Sequence, residues 1–387
     1  MMNRYLWIIL LLAGCRGEAK LKPNNAIEQF RLAFAPDHRT DWFDIQMEKQ
    51  GDTYVLTGET TLPEAKDSLV RYLRSQGSVV DQVRLLPDST VLPYHRGVVS
   101  VSVANIRSKP GHSQELATQA LLGTPLEVLK KEDNWNLVRT PDRYLGYLED
   151  GAFASMQQPD LDRWDQSAKV IYTAEMGLVY QQPEPSALPV SDVVAGCVFQ
   201  AGLSRDGFLE VGFPDGRSGY IPEGSYLDYQ TWLATRDPSV PNIIRTAHLF
   251  MGRPYLWGGT SGKGVDCSGF TKMVFYLNGL VLPRDASQQA LVGTKIKTGA
   301  DLENCQPGDL LFFGYPPDGK RGERITHVAI YLGNGKFINS AEGRVQIQSL
   351  HEGDADFATQ RLETWRQARR MLDHPGEGDI PWVKDVY

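Results

Sequence analysis

One turn-bearing segment occurs twice in this chain, and that repetition limits the middle of the molecule more than any other feature. Pro141-Asp142-Arg143-Tyr144-Leu145-Gly146-Tyr147 returns as Pro214-Asp215-Gly216-Arg217-Ser218-Gly219-Tyr220, with the same step from proline to Gly-Tyr. Upstream, Ala104-Asn105-Ile106-Arg107-Ser108-Lys109-Pro110 has a looser echo in the stretch from Met176 to Pro183. Short alternating strands cut by such turns close into small β-barrels. Two barrels in series are expected, joined by the polar stretch Gln157 to Gln166. They are not interchangeable, because the position held by Tyr144 in the first copy is Arg217 in the second.

Ahead of the repeats, Trp42 to Met47 and Thr53 to Glu59 read as strands around the turn Gln50-Gly51-Asp52, and Val79 to Leu85 as a third. Between them a helix opens on Thr61-Leu62-Pro63-Glu64, a capping-box pattern. It carries Ala65, Leu69, Tyr72 and Leu73 on one face and stops at Gly77. This small α+β module shows no catalytic pattern.

The first residues read as an address. Arg4 precedes an apolar run from Tyr5 to Ala13, of signal-peptide length, which ends in Leu12-Ala13-Gly14-Cys15. Small residues before that cysteine resemble a bacterial lipoprotein signal. The resemblance implies export, removal of the leader, and a lipid anchor on Cys15 that tethers the mature chain to a membrane of the cell envelope, facing the periplasm in a two-membrane cell. Elsewhere no stretch of 18 apolar residues can span a bilayer. Forty basic residues, scattered along the chain, stand against 47 acidic ones, a net charge of −7 that leaves no footprint for nucleic acid.

Of the four cysteines, one has unusual surroundings. In Gly264-Val265-Asp266-Cys267-Ser268-Gly269-Phe270, apolar residues then repeat at Phe270, Met273, Val274 and Leu277 until Asn278-Gly279, so Cys267 sits in the first turn of a helix. Unpaired N–H groups and the positive end of the helix dipole favour a thiolate there, and could hold an oxyanion. Asp266 is placed to cap the same helix.

A thiol nucleophile needs a base. Among seven histidines, His327 opens a strand, His327 to Leu332, that turns through Gly333-Asn334-Gly335 into Lys336 to Ser340. With a three-residue loop Leu332 opposes Lys336, Ala329 opposes Asn339, and His327 and Asn339 become diagonal neighbours on one face. A two-residue turn would put them on opposite faces. The first register predicts that Asn339 holds one ring nitrogen of His327 and leaves the other for Cys267, an arrangement for acyl transfer. No cofactor or metal is called for, since no His or Cys pair has the close spacing of a zinc site.

Five ordered motifs carry a resemblance: Tyr255-x-Trp257-Gly258-Gly259, Val265 to Phe270, Leu282-Pro283-Arg284, Pro307-Gly308-Asp309-Leu310-Leu311-Phe312-Phe313, and Thr326 to Gly333. Together they resemble the NlpC-type cell-wall cysteine peptidases, whose core is papain-like. The implied architecture is multidomain. A signal peptide at 1–15 and an α+β module at 24–92 precede SH3-like barrels at 94–152 and 167–231 and a papain-like α+β catalytic domain at 240–372.

With two SH3-like domains ahead of it, the chain is similar to the subgroup that cuts between γ-D-glutamate and a diamino acid in peptidoglycan stem peptides with a free N-terminal L-alanine. That resemblance implies Cys267, His327 and Asn339 as the catalytic set. It assigns Asp266 and Ser268 to the L-Ala-γ-D-Glu part, Tyr255 and Trp257 to the cleft walls, Asp285 and Ala286 to the binding set, and Tyr144 to the amine end. Relatives carry a glutamate where Ala117 stands, and Glu115 lies two residues before it. Lysine and diaminopimelate remain equal candidates for the diamino acid. Two other readings stay open: an amidase or acyltransferase on another acyl substrate, and a tethered wall-binding protein without catalysis.

Overall fold

The computed structural model describes residues 25–88, 94–319 and 322–387. The apolar leader and Cys15 lie outside the described residues. The chain divides into two compact units, Met1–Pro93 and Tyr94–Tyr387.

In the first unit a hairpin pairs Phe43–Gln50 with Thr53–Thr60. Ser78–Asp81 and Arg84–Leu85 run parallel to its second strand. The helix Pro63–Arg74 buries Ala65, Leu69, Val70 and Leu73, and Leu69, Val70 and Leu73 pack against Ile45 and Leu56. Each fully buried aliphatic side chain contributes about 1.5–3 kcal/mol, so this face holds the module together. The expected capping box does not form. The cap position is Leu62, because the Thr61 hydroxyl accepts the Trp42 N–H at 3.1 Å while Thr60 takes the Leu62 N–H at 3.1 Å. Pro63, whose missing N–H costs a first turn nothing, starts the helix.

The second unit begins with two antiparallel sheets of seven strands each, one from Arg96–Val99 to Phe153–Met156 and one from Lys169–Tyr172 to Tyr226–Asp228. The stretch between them, expected as a polar linker, contains the helix Gln158–Gln166. Its Trp164 is buried with Val98 and Met156 of the first barrel, a single aromatic anchor that an otherwise polar sequence conceals. The barrels touch directly: Val198 N–H donates to Leu122 O at 2.9 Å, and Ser102 donates to Asp192 at 2.8 Å.

The catalytic domain is built on a six-stranded antiparallel sheet. Across it lie Thr294–Ile296, Trp365–Arg370, Leu310–Tyr315, Arg324–Gly333, Lys336–Ala341 and Arg344–Ser349, in that order. The helix Cys267–Leu277 packs on this sheet with every residue from Cys267 to Tyr276 buried. A helix covered all round needs no polar face. The domain continues past Leu372, where it was expected to end: Val281 N–H bonds to Pro381 O at 2.9 Å, and the Tyr387 ring packs 5.3 Å from that of Tyr276.

Candidate active site

Cys267 is the first residue of its helix, and Asp266 caps it by accepting the Gly269 N–H at 2.7 Å. Glycine at 269 is required, since a Cβ there would lie 2.0 Å from Gly259 O. Gly258, at φ +78°, is required as well, because a Cβ would meet Leu116 O of the first barrel at 2.1 Å. These contacts seat the nucleophile between the Tyr-x-Trp-Gly-Gly loop and the histidine strand. Ser340 Oγ adds a bond of 2.7 Å to Val265 O.

His327 and Asn339 meet as follows. The histidine ring Nε2 and Asn339 Oδ1 are 2.7 Å apart. Asn339 Nδ2 donates to Gln348 Oε1 at 3.1 Å and to Gln346 O at 3.4 Å, which orients the amide so that Oδ1 faces the ring. Nε2 then carries the proton, and Nδ1 is left as the base. The turn differs from the expected one. Gly333 pairs with Lys336 across the two-residue turn Asn334-Gly335, and a bulge falls between Tyr331 and Gly333. Asn334 at φ 51° and Gly335 at φ 73° have the positive angles such a turn demands. The bulge absorbs one residue, so Ile330 still opposes Ile338 and Asn339 stays on the face of His327.

Cys267 is 8% exposed and His327 6%. The sulfur receives the backbone N–H of Val328, the residue after His327, and that of Ser268. Burial and then the Asp266 charge nevertheless push the thiol up to about 11. Burial and then the Arg361 charge pull the imidazole down to about 3, against the pull of Asn339. Both shifts favour the uncharged forms, against the thiolate that the helix terminus favours. Such a pair attacks by passing the proton as the C–S bond forms.

Asp266 has a full set of partners. Arg284 grips both its oxygens, at 3.1 and 2.7 Å, and Gly258 N–H adds a bond of 2.9 Å. Arg284 also donates to Ser268 Oγ at 3.0 Å and to Thr118 Oγ1 of the first barrel at 3.0 Å. Asp266, Ser268 and Arg284 thus form one buried framework under the nucleophile, with the carboxylate charge balanced internally.

The first barrel supplies the other wall. Tyr144 OH donates to Asp285 Oδ2 at 3.0 Å, and Asp285 forms a capping box with Gln288 on the short helix Ala286–Gln289. Ala286 is buried and offers no polar side chain. Trp257, 63% exposed, donates its ring N–H to Glu115 Oε1 at 2.7 Å, which brings Glu115 to the rim. Burial and then the charges of Cys267 and Asp266 push the Tyr255 hydroxyl up to about 12, so this ring stands beside the nucleophile. Behind the wall, Lys272 of the nucleophile helix pairs with Asp142 in the turn that carries Tyr144. Sequence reasoning missed three residues here: Lys272, Arg361, and Arg284 as a direct partner of Asp266. Only Arg284 lies within a motif.

Comparison with known proteins agrees with this geometry. The NlpC/P60 family model matches residues 252–362, and the model of the bacterial dipeptidyl-peptidase SH3 domain matches residues 106–153. A γ-D-glutamyl-L-lysine dipeptidyl-peptidase of Bacillus cereus is 30% identical over 67% of this chain and 77% of its own length. Dipeptidyl-peptidase 6 of Lysinibacillus sphaericus is 28% identical over 66% of this chain and 92% of its own. The crystal structure of an NlpC/P60 family protein from Bacillus cereus superposes with a TM-score of 0.61 at 25% identity, covering 72% of this chain and 99% of that one. The catalytic domain and the SH3-like barrel ahead of it both match known models, and the chain belongs to the NlpC/P60 family of cysteine peptidases.

Proposed function

We propose that this hydrolase cleaves the bond between γ-D-glutamate and the diamino acid of peptidoglycan stem peptides whose L-alanine is free. Cys267 Sγ bonds to the γ-carbonyl carbon while its proton passes to His327 Nδ1. The C–N bond then breaks, and the departing amine takes that proton. Water, deprotonated by His327, hydrolyses the thioester and restores the thiol.

The bond between Tyr144 and Asp285 carries this reading. A phenol from the first barrel and a carboxylate from the catalytic domain meet at one end of the cleft as groups suited to an ammonium, which favours a free amine over a glycan-linked one. Glu115 adds a second carboxylate at the rim. Acetylating the L-alanine amine is expected to lower kcat/KM at least a hundredfold, because losing the ammonium charge that faces Asp285 and Glu115 costs about 3 kcal/mol. Equal rates on free and acetylated peptide would remove the gate. Equal turnover by Cys267→Ala and the parent would remove the enzyme. The leader and its cysteine support export and anchoring through Cys15. Detergent partitioning of the parent against Cys15→Ser tests this, and identical behaviour would exclude the anchor.

A further inference from the structure

The geometry points to a second recognition element, on the leaving-group side of the cleft: we propose that Arg361 receives a carboxylate of the departing diamino acid. This rests on the hydrolytic reading above and names what that site selects.

Arg361 lies on the short helix Thr359–Glu363, just before the strand Trp365–Arg370. Its guanidinium stands 5.8 Å over the Phe313 ring, and the same ring packs 5.9 Å from that of His327. One aromatic side chain thus touches both a cation and the general base. The charge of Arg361 is felt at the His327 ring, the Cys267 sulfur and the Tyr255 hydroxyl.

Among the described residues no carboxylate lies within ion-pair distance of it. Glu342 is the acid whose field reaches it, and a Glu342 oxygen is already held by Gln346 at 3.2 Å. A partly desolvated arginine without a counter-ion is costly. Here it also opposes the proton that His327 must accept, since a like charge disfavours the imidazolium. An anion arriving with the substrate removes both costs at once.

The side follows from the chemistry. His327 protonates the departing amine, so the diamino acid leaves on the His327 side, while the acyl part runs toward Tyr144 and Asp285. A diamino acid can present its α-carboxylate, or, in diaminopimelate alone, a side-chain carboxylate; lysine has only the first. Both offer Arg361 the same planar, bidentate partner.

The test compares the parent with Arg361→Gln and Arg361→Lys on four peptides built on L-Ala-γ-D-Glu. They end in lysine amide, in lysine, and in diaminopimelate carrying an α-amide. The fourth is the lysine peptide with the D-glutamate α-carboxylate converted to amide. Arg361→Gln is expected to lose on the order of tenfold to a hundredfold in kcat/KM on peptides with a leaving-group carboxylate, as for one hydrogen bond to a charged group. On lysine amide, which brings no leaving-group carboxylate, that loss should be absent. Arg361→Lys should keep part of the preference. The lysine and diaminopimelate α-amide arms tell which carboxylate is read. A loss equal on all four peptides, or one that vanishes only when the D-glutamate carboxylate is blocked, overturns the assignment. A parent inert on all four sinks the hydrolytic reading and Arg361 with it.

Discussion

The two barrels carry the same turn and use it in opposite directions. In the first, Tyr144 reaches across to Asp285 of the catalytic domain. At the matching place in the second, Arg217 donates to Ser100 O of the first barrel at 2.7 Å and lies 4.5 Å over its own Phe213. The aspartates two residues before them diverge as well. Asp142 is buried against Lys272 of the nucleophile helix, whereas Asp215 pairs with Arg217 of its own turn at 2.8 Å, both side chains about a third exposed. Duplication thus supplied one turn that became a wall of the active site and one that became a brace between barrels. What a small barrel does is decided by whom its turn faces.

Exchanging the two residues tests that division most severely. Tyr144→Arg removes the hydroxyl and sets a cation where the substrate ammonium is expected. Like charges about 4 Å apart near a protein surface cost about 4 kcal/mol. A loss in kcat/KM of at least a hundredfold is expected on the free-amine peptide, with a much smaller one on the acetylated peptide. Arg217→Tyr should leave kcat/KM within about twofold and lower stability by roughly 1–2 kcal/mol, through one hydrogen bond and one cation–π contact. Matching losses in both variants would erase the difference between the barrels.

The aspartates give the next effect in size. Burial pushes the Asp142 carboxyl up, but the Lys272 ammonium and the Thr140 hydroxyl hold it below its ordinary value. Burial also lowers Lys272, against the pull of Asp142, so each group depends on the other for its charge. Asp142→Asn should cost about 3–5 kcal/mol in urea denaturation, because it strands a buried ammonium. Asp215→Asn should cost under about 1 kcal/mol. Adding Lys272→Met to Asp142→Asn should recover part of the loss, since the stranded charge goes too. If Asp142→Asn and Asp215→Asn cost the same, the buried pair does not fasten the Tyr144 turn.

Much of the site was legible because its chemistry is local. A cysteine behind an N-capping aspartate and a histidine in a hairpin strand are short-range patterns, and their order along the chain located the papain-like core; the strand itself starts earlier than expected, at Arg324. Long-range effects were not legible. Lys272 reads as one polar residue on an apolar helix until a turn 130 residues away covers it. Arg361 belongs to no periodic pattern. The bulge before Gly333 rescued the register by a backbone device that turn residues alone do not encode. The capping box failed because Trp42, just before the strand Phe43–Gln50, claimed Thr61 first. The burial that opposes a thiolate at Cys267 was hidden as well, since a helix terminus is visible in sequence and burial is not.

The smallest effect concerns pH and separates the first barrel from the second once more. Profiles of kcat/KM report free enzyme and free substrate. His327, pulled down to about 3 by burial and Arg361, is already neutral at pH 5. A lowered histidine value extends the range in which the base is free, so kcat/KM should change less than about twofold between pH 5 and 7. Arg361→Gln should move the acid limb upward, toward the ordinary value near 6.5. The alkaline limb belongs to the substrate: an α-amine loses its charge near pH 8, so the free-amine peptide should slow above that point if Tyr144 and Asp285 read an ammonium. Tyr144→Phe should flatten this limb, and Arg217→Ala should leave both limbs in place. An acid limb near 6.5 in the parent would mean that His327 is solvated when it works, and an alkaline limb unchanged by acetylation would detach it from the wall that the first barrel builds.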